Sequence, residues 1–172
     1  MTLAKKKAGT RESFTLDGLD SFIRTLEQLE ADTTEILKGA LYVGADVMAD
    51  TVKAELRALP VDERWGTPEN PTNGIKQKQK NGLIDSFGVA PMEIKAGGVI
   101  DTVLGFDGYN DIKTKKHPGG QPNQLIARSL ESGTSFSRKI PFMARAKRKG
   151  KAAAETAMEN YLEAKIKELT KE

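Results

Sequence analysis

"LESGTSFSRKIPFMARAKRKGK", residues 130–151, decides how this chain is read. A Gly-Thr pair, a Pro-Phe-Met step and a run of cations share one stretch, and a helical apolar pattern follows it. Gly133 suits the positive-φ backbone that ends a helix, and Thr134 can hydrogen-bond the turn beginning there. Pro141 fixes φ as the chain leaves a sheet, and Phe142 and Met143 then anchor a final helix to the core. From Ala144 to Leu169 the positions Ala154, Met158, Tyr161 or Leu162, Ile166 and Leu169 recur on one helical face. The stretch reads as a docking hinge that sets the angle of the last helix against a sheet. It has no catalytic part.

Upstream, Phe14 and Leu16 alternate as in a short strand, and Asp17-Gly18 is a turn. Leu19, Phe22, Ile23, Leu26 and Leu29 follow the i, i+3, i+4, i+7 spacing of a first amphipathic helix. Asp32, Thr33 or Thr34 caps a second helix with the stripe Leu37, Leu41, Val47 or Met48, Val52 and Leu59. If continuous from Thr33 to Ala58, that helix is about 40 Å long. Gly39 and Gly44 each weaken it by about 1 kcal/mol relative to Ala, unless another backbone approaches closely there. Pro60 ends it.

Residues 60–82 hold three Pro, three Gly and no apolar period, so they read as a long loop. Within it Trp65 either folds back as a local anchor or inserts into a neighbouring subunit, Trp being enriched at interface hot spots. Gly82, Leu83 and Ser86 lead into a hairpin of Ser86–Lys95 and Val99–Phe106, turned at Ala96-Gly97-Gly98. Pro91 makes its strand an edge or a bulge. A second polar loop spans 107–124, a short helix 125–133, and "SFSRKIPF" can add a strand. The order of elements gives an α+β fold: a small antiparallel sheet packed against a long N-terminal helix pair and a C-terminal helix. Residues 1–12 read as a basic arm and 13–172 as a single domain.

The chain has no cysteine, which removes disulfides and thiolate metal sites. Its basic start lacks a following apolar segment and is no signal peptide, and no apolar run reaches the roughly 20 residues of a membrane span. The formal charge is only +3, yet residues 132–154 carry seven Lys or Arg and no acid. These are Arg138, Lys139, Arg145, Lys147, Arg148, Lys149 and Lys151. They form a solvated or subunit-facing helix start, or a sequence-independent phosphate contact. No aromatic interleaving accompanies them. The acidic N-terminal half offers a complementary surface for head-to-tail packing of identical subunits.

Chemistry finds little to work with. His117 is the only histidine and has no Cys or second His to complete a zinc set. There is no Gly-x-Ser-x-Gly elbow and no phosphate-cradling Gly-rich loop. Asp46 and Asp50 read as a solvated helix face. The expectation is a non-enzyme with no catalytic residues, no metal and no cofactor.

Five motifs, in order, carry a family resemblance: "FTLDGLDSFIRTLEQL", "VKAELRALP", "NGLIDSF", "LESGT" and "IPFMARA". In these the chain resembles the head–tail joining or tail completion proteins of long-tailed bacteriophages, also described as minor tail proteins. The likeness covers roughly residues 13–169. It departs at Arg145-Ala146, where the family has Pro-Ala, and in the length of the two loops. The resemblance implies a virion structural protein assembled in the host cytoplasm. Copies would form a ring, sixfold by analogy, between the head connector or stopper and the tail tube or terminator. Genomic DNA would pass as a non-specific neighbour, with no membrane involved. The alternative is a small sequence-nonspecific nucleic-acid-binding protein.

Overall fold

The structure, a computed structural model, describes residues 20–28, 32–95 and 99–171. The expected arm at 1–12, the strand and turn at 14–18, Leu19, Leu29 and the turn at 96–98 lie outside the described residues. Within them the chain is α+β: α1 (Asp20–Gln28), α2 (Thr33–Arg57), α3 (Gln77–Ser86), β1 (Phe87–Val89), β2 (Glu93–Ile94), β3 (Ile100–Asp101), β4 (Leu104–Phe106), α4 (Asn123–Ser132) and α5 (Phe142–Leu169). Strands pair antiparallel, β1 with β4 and β2 with β3. The long N-terminal and C-terminal helices of the expected fold are both present.

α2 begins where Asp32 accepts the Glu35 N–H at 3.1 Å, which satisfies one orphan donor of the first turn. Its buried face is made of small residues: Ala40, Gly44, Ala45 and Ala49 accompany Met48, Val52 and Leu56. Leu37 and Leu41, expected in the stripe, are only half-buried. The reason is α5, which lies antiparallel along the small-residue face. A Cβ on Gly39 would collide with the Tyr161 phenol. One on Gly44 would stand 2.5 Å from Met158 Sδ, and one on Gly150 of α5 would stand 2.7 Å from Met48 Sδ. The glycines that weaken α2 locally are what let α5 approach, and Met side chains fill the remaining space. α1 covers the far end, its fully buried Leu26 meeting Ala40, Met158 and Leu162.

The larger cluster lies at the other end, where α3, α4, β1 and β4 pack on the C-terminal half of α2 and the first turns of α5. Phe87 and Phe106 face each other across the β1–β4 pair at 5.2 Å between ring centroids, and Phe142 meets Phe106 edge-on at 6.0 Å. The β ladder breaks between its two short pairs. Ala90, Pro91 and Met92 oppose only Thr102 and Val103, so the first strand bulges where proline has no N–H to offer.

Two expectations are corrected. The stretch 60–82 is not loop throughout, because α3 starts at Gln77. Its first turn, "QKQK", shows no apolar period and is instead built by capping: Gln79 Oε1 accepts the Lys76 N–H at 3.1 Å, and Lys80 donates to the Leu59 carbonyl at 2.8 Å. Gly82, Leu83 and Ser86 therefore sit on a helix that runs straight into β1, with Leu83 fully buried. Second, "SFSRKIPF" forms no strand. Its backbone makes only two bonds to the preceding loop: Thr72 N–H to Phe136 O at 3.0 Å and Arg138 N–H to Thr72 O at 2.9 Å. Two smaller shifts follow the same packing, with α4 starting at Asn123 and α5 at Phe142. Buried Asn123 holds the second loop, its Nδ2 donating to Asp107 O at 2.9 Å.

Replacing Gly44 with Val tests the helix approach. Added bulk at this contact is expected to destabilise the fold by about 1–3 kcal/mol in urea unfolding. Unchanged or higher stability would show that α2 and α5 do not meet there.

Candidate functional site

The Gly133–Met143 hinge is a closed joint between α4 and α5. Gly133 follows α4 with φ 75° and ψ 165°, so its φ is positive as expected while its ψ is extended rather than left-handed helical. A side chain there would be strained and would press on the Lys139 backbone. Thr134 Oγ1 accepts the N–H groups of Phe136 and Ser137, both at 3.1 Å, as a hydroxyl-closed turn. The Ile140 N–H returns to Leu130 O at 2.7 Å. Pro141 stands at the start of α5 and supplies no side-chain cap. The cap comes from elsewhere.

Glu131, in the last turn of α4, accepts the N–H groups of Met143 at 3.0 Å and Ala144 at 3.1 Å. A carboxylate at this end also complements the helix dipole. Phe142, fully buried, and Met143, nearly so, plant the same turn in the core. Both are inside the first turn of α5 and not ahead of it. The sequence signal for Glu131 was faint, an acid twelve and thirteen residues before the groups it caps.

The cationic run divides by direction. Glu55 of α2 is buried, with only 8% of its side chain accessible, yet accepts from Arg145 Nε at 2.8 Å and from Lys149 Nζ at 2.5 Å. Arg145 and Lys149 are four apart and therefore share one face of α5. The acid missing from their own stretch comes from α2. Lys151 pairs with Glu155 at 3.5 Å along the helix, and Lys147 is half-buried. Arg138, Lys139 and Arg148 are exposed and have no side-chain partner among the described residues. Hydrogen bonds from Lys149 and then Arg145 hold the Glu55 carboxyl below its usual value of 4.5, against the opposing effect of burial.

Trp65 does not fold back into the core. It is 66% exposed, with the Lys76 ammonium 4.4 Å above its ring. With Leu125 of α4 and Phe136 of the hinge it lines an open groove of about 340 Å³. Sequence separation hid this grouping, since Trp65 and Phe136 come together only where Gly66 packs on the Phe136 carbonyl and Thr72 hydrogen-bonds it. His117 lies in a turn closed by its own backbone bonds with Thr114. Among the described residues no cluster of His, Cys, Asp or Glu is arranged to hold a metal ion, and no helix is long and apolar enough to cross a membrane.

The α4–α5 joint and the Glu55 ion pairs each carry a prediction. Phe142→Ala should destabilise by about 3–5 kcal/mol and Glu131→Ala by about 0.5–2 kcal/mol, with Glu131→Gln between it and wild type. Equal effects of the two Glu131 variants in chemical denaturation would remove the capping role. For Glu55, a depressed folded-state pKa means that its contribution is present above the unfolded value and is lost as pH falls through the folded one. Stability measured from pH 7 into acid should fall below about pH 4.5, and Glu55→Gln should flatten that fall. An unchanged acid limb in Glu55→Gln would contradict the assignment.

No protein-family model matches the chain, and no curated protein or solved structure matches it either.

Proposed function

We propose that this chain is a structural protein of the neck or tail of a long-tailed bacteriophage. It would form a ring that joins or completes the tail at the head–tail interface and lines the DNA passage. The observation that carries the reading is the joint between α4 and α5. Two motifs of the resemblance, "LESGT" and "IPFMARA", meet there as a capped and buried contact. The matched residues are thus the ones that fix the shape of the body, as a scaffold requires.

The mechanism is geometric, and we assign it no catalytic step, metal or cofactor. A rigid wedge repeated head-to-tail generates a closed ring when its rotation closes. The exposed cations Arg138, Lys139 and Arg148 would be the groups that meet passing DNA or an acidic partner of the connector or tube. Contact with phosphate there is sequence-independent and weakens with salt. The same three cations support the second reading, a nonspecific nucleic-acid-binding protein.

The triple charge reversal Arg138→Glu, Lys139→Glu, Arg148→Glu separates these readings without touching the Glu55 contacts. It is expected to leave the thermal midpoint near wild type while lowering the yield of DNA-filled tailed particles. Mass spectrometry of purified tails should find the chain in fixed stoichiometry. Its absence from every particle, together with salt-sensitive duplex binding in a gel shift, would replace the neck reading with the second one.

A further inference from the structure

Two surfaces expose apolar side chains: the aromatic groove and the outer part of the hairpin. The groove presents Trp65 and Phe136, 66% and 56% exposed, together with Leu125. The outer hairpin pair, β2–β3, consists of only two residues a side. A two-stranded piece this short is marginal in water, yet Ile94 in β2 and Val99 just before β3 are 55% and 57% exposed. No residue of that pair lines the groove in its own chain.

The charges of the two surfaces are opposite. The outer pair and the adjoining Lys95 carry Glu93, Lys95 and Asp101, a formal charge of −1. The charged residues that line the groove are Asp62, Arg64 and Lys76, a formal charge of +1. Lys95 pairs with Asp101 and Arg64 with Asp62, which leaves Glu93 on the hairpin and Lys76 beside Trp65 in the groove. An apolar projection in an acidic setting thus matches an aromatic hollow in a basic one. Such complementarity fixes register and suppresses the wrong pairing, because hairpin against hairpin or groove against groove brings like charges together.

We infer that the Trp65–Phe136 groove of one copy receives the Ile94–Val99 side of the hairpin of a second copy, in a head-to-tail contact. The contact is heterologous, so each copy uses one surface for each neighbour and the chain of contacts closes into a ring or continues. Trp65 is the central anchor, with Lys76 already stacked on one face of the ring and the rest of the indole open. The inference rests on the ring reading above and names its self-contact.

The absence of cysteine gives a clean test. Two full-length single variants, Ile94→Cys and Phe136→Cys, are prepared separately, mixed at high concentration and mildly oxidised. A disulfide needs Cα atoms within about 7 Å, so it reports direct apposition. The expected result is that the mixed Ile94–Phe136 dimer dominates over both homodimers and that its yield falls in high salt. Adding Trp65→Ala to the Phe136→Cys chain should cut that yield, with circular dichroism confirming an intact fold. A statistical mixture of the three dimers, no dimer at all, or indifference to Trp65→Ala overturns the contact. Those outcomes leave the neck reading standing if the chain is still found in tails, whereas a selective cross-link from a protein absent from tails preserves the contact and removes the neck.

Discussion

The approach of α5 to α2 sets the terms for the rest of this molecule. Three positions without a Cβ, Gly39, Gly44 and Gly150, remove the atoms that would hold the helices apart. Their local cost to helix propensity is about 1 kcal/mol each, and packing along the whole length of both helices offsets it. Once α5 lies this close, Glu55 is trapped beneath it. A buried carboxylate is tolerated only with partners, and Arg145 and Lys149 provide them from the facing turn. A run of like charges at a helix start, unfavourable with the dipole, is thereby partly neutralised across the interface.

The second constraint is the angle at which α5 leaves α4. Backbone conformation alone does not fix it, because Pro141 leaves the first N–H groups of α5 without a cap. Glu131 reaches across the turn to accept two of them, and Phe142 locks the same turn into the aromatic row of Phe87 and Phe106. With the joint rigid, the loop at 134–138 becomes a firm edge on which the Thr72 segment rests. That contact brings Trp65 and Phe136 into one groove. The exposed surface is therefore a consequence of how the core is closed, which is how a scaffold without chemistry acquires a specific shape.

Much of the architecture was legible in the sequence, and the helices most of all. Asp32 and Pro60 bracket α2, and Gly133 ends α4, because caps and breakers act within a few residues of where they stand. Phe142 and Met143 read correctly as anchors since an apolar pair at a helix start has few other uses. The misread elements share a different property. α3 opens with polar residues whose helical state depends on Gln79 and on the Leu59 carbonyl just past the end of α2. "SFSRKIPF" has strand-like composition but meets only one short partner segment, so no ladder grows.

By itself, then, the sequence determined what short-range physics governs: the long helices, their ends, a strand at Pro91 that is either an edge or bulged, and the lack of thiol chemistry. Tertiary structure alone decided which charges meet and which rings share a surface. Glu55 finds Arg145 across ninety positions, and Trp65 finds Phe136 across seventy-one. Periodicity carries no record of such pairings, because they exist only after α2 and α5 have packed and the hinge has closed.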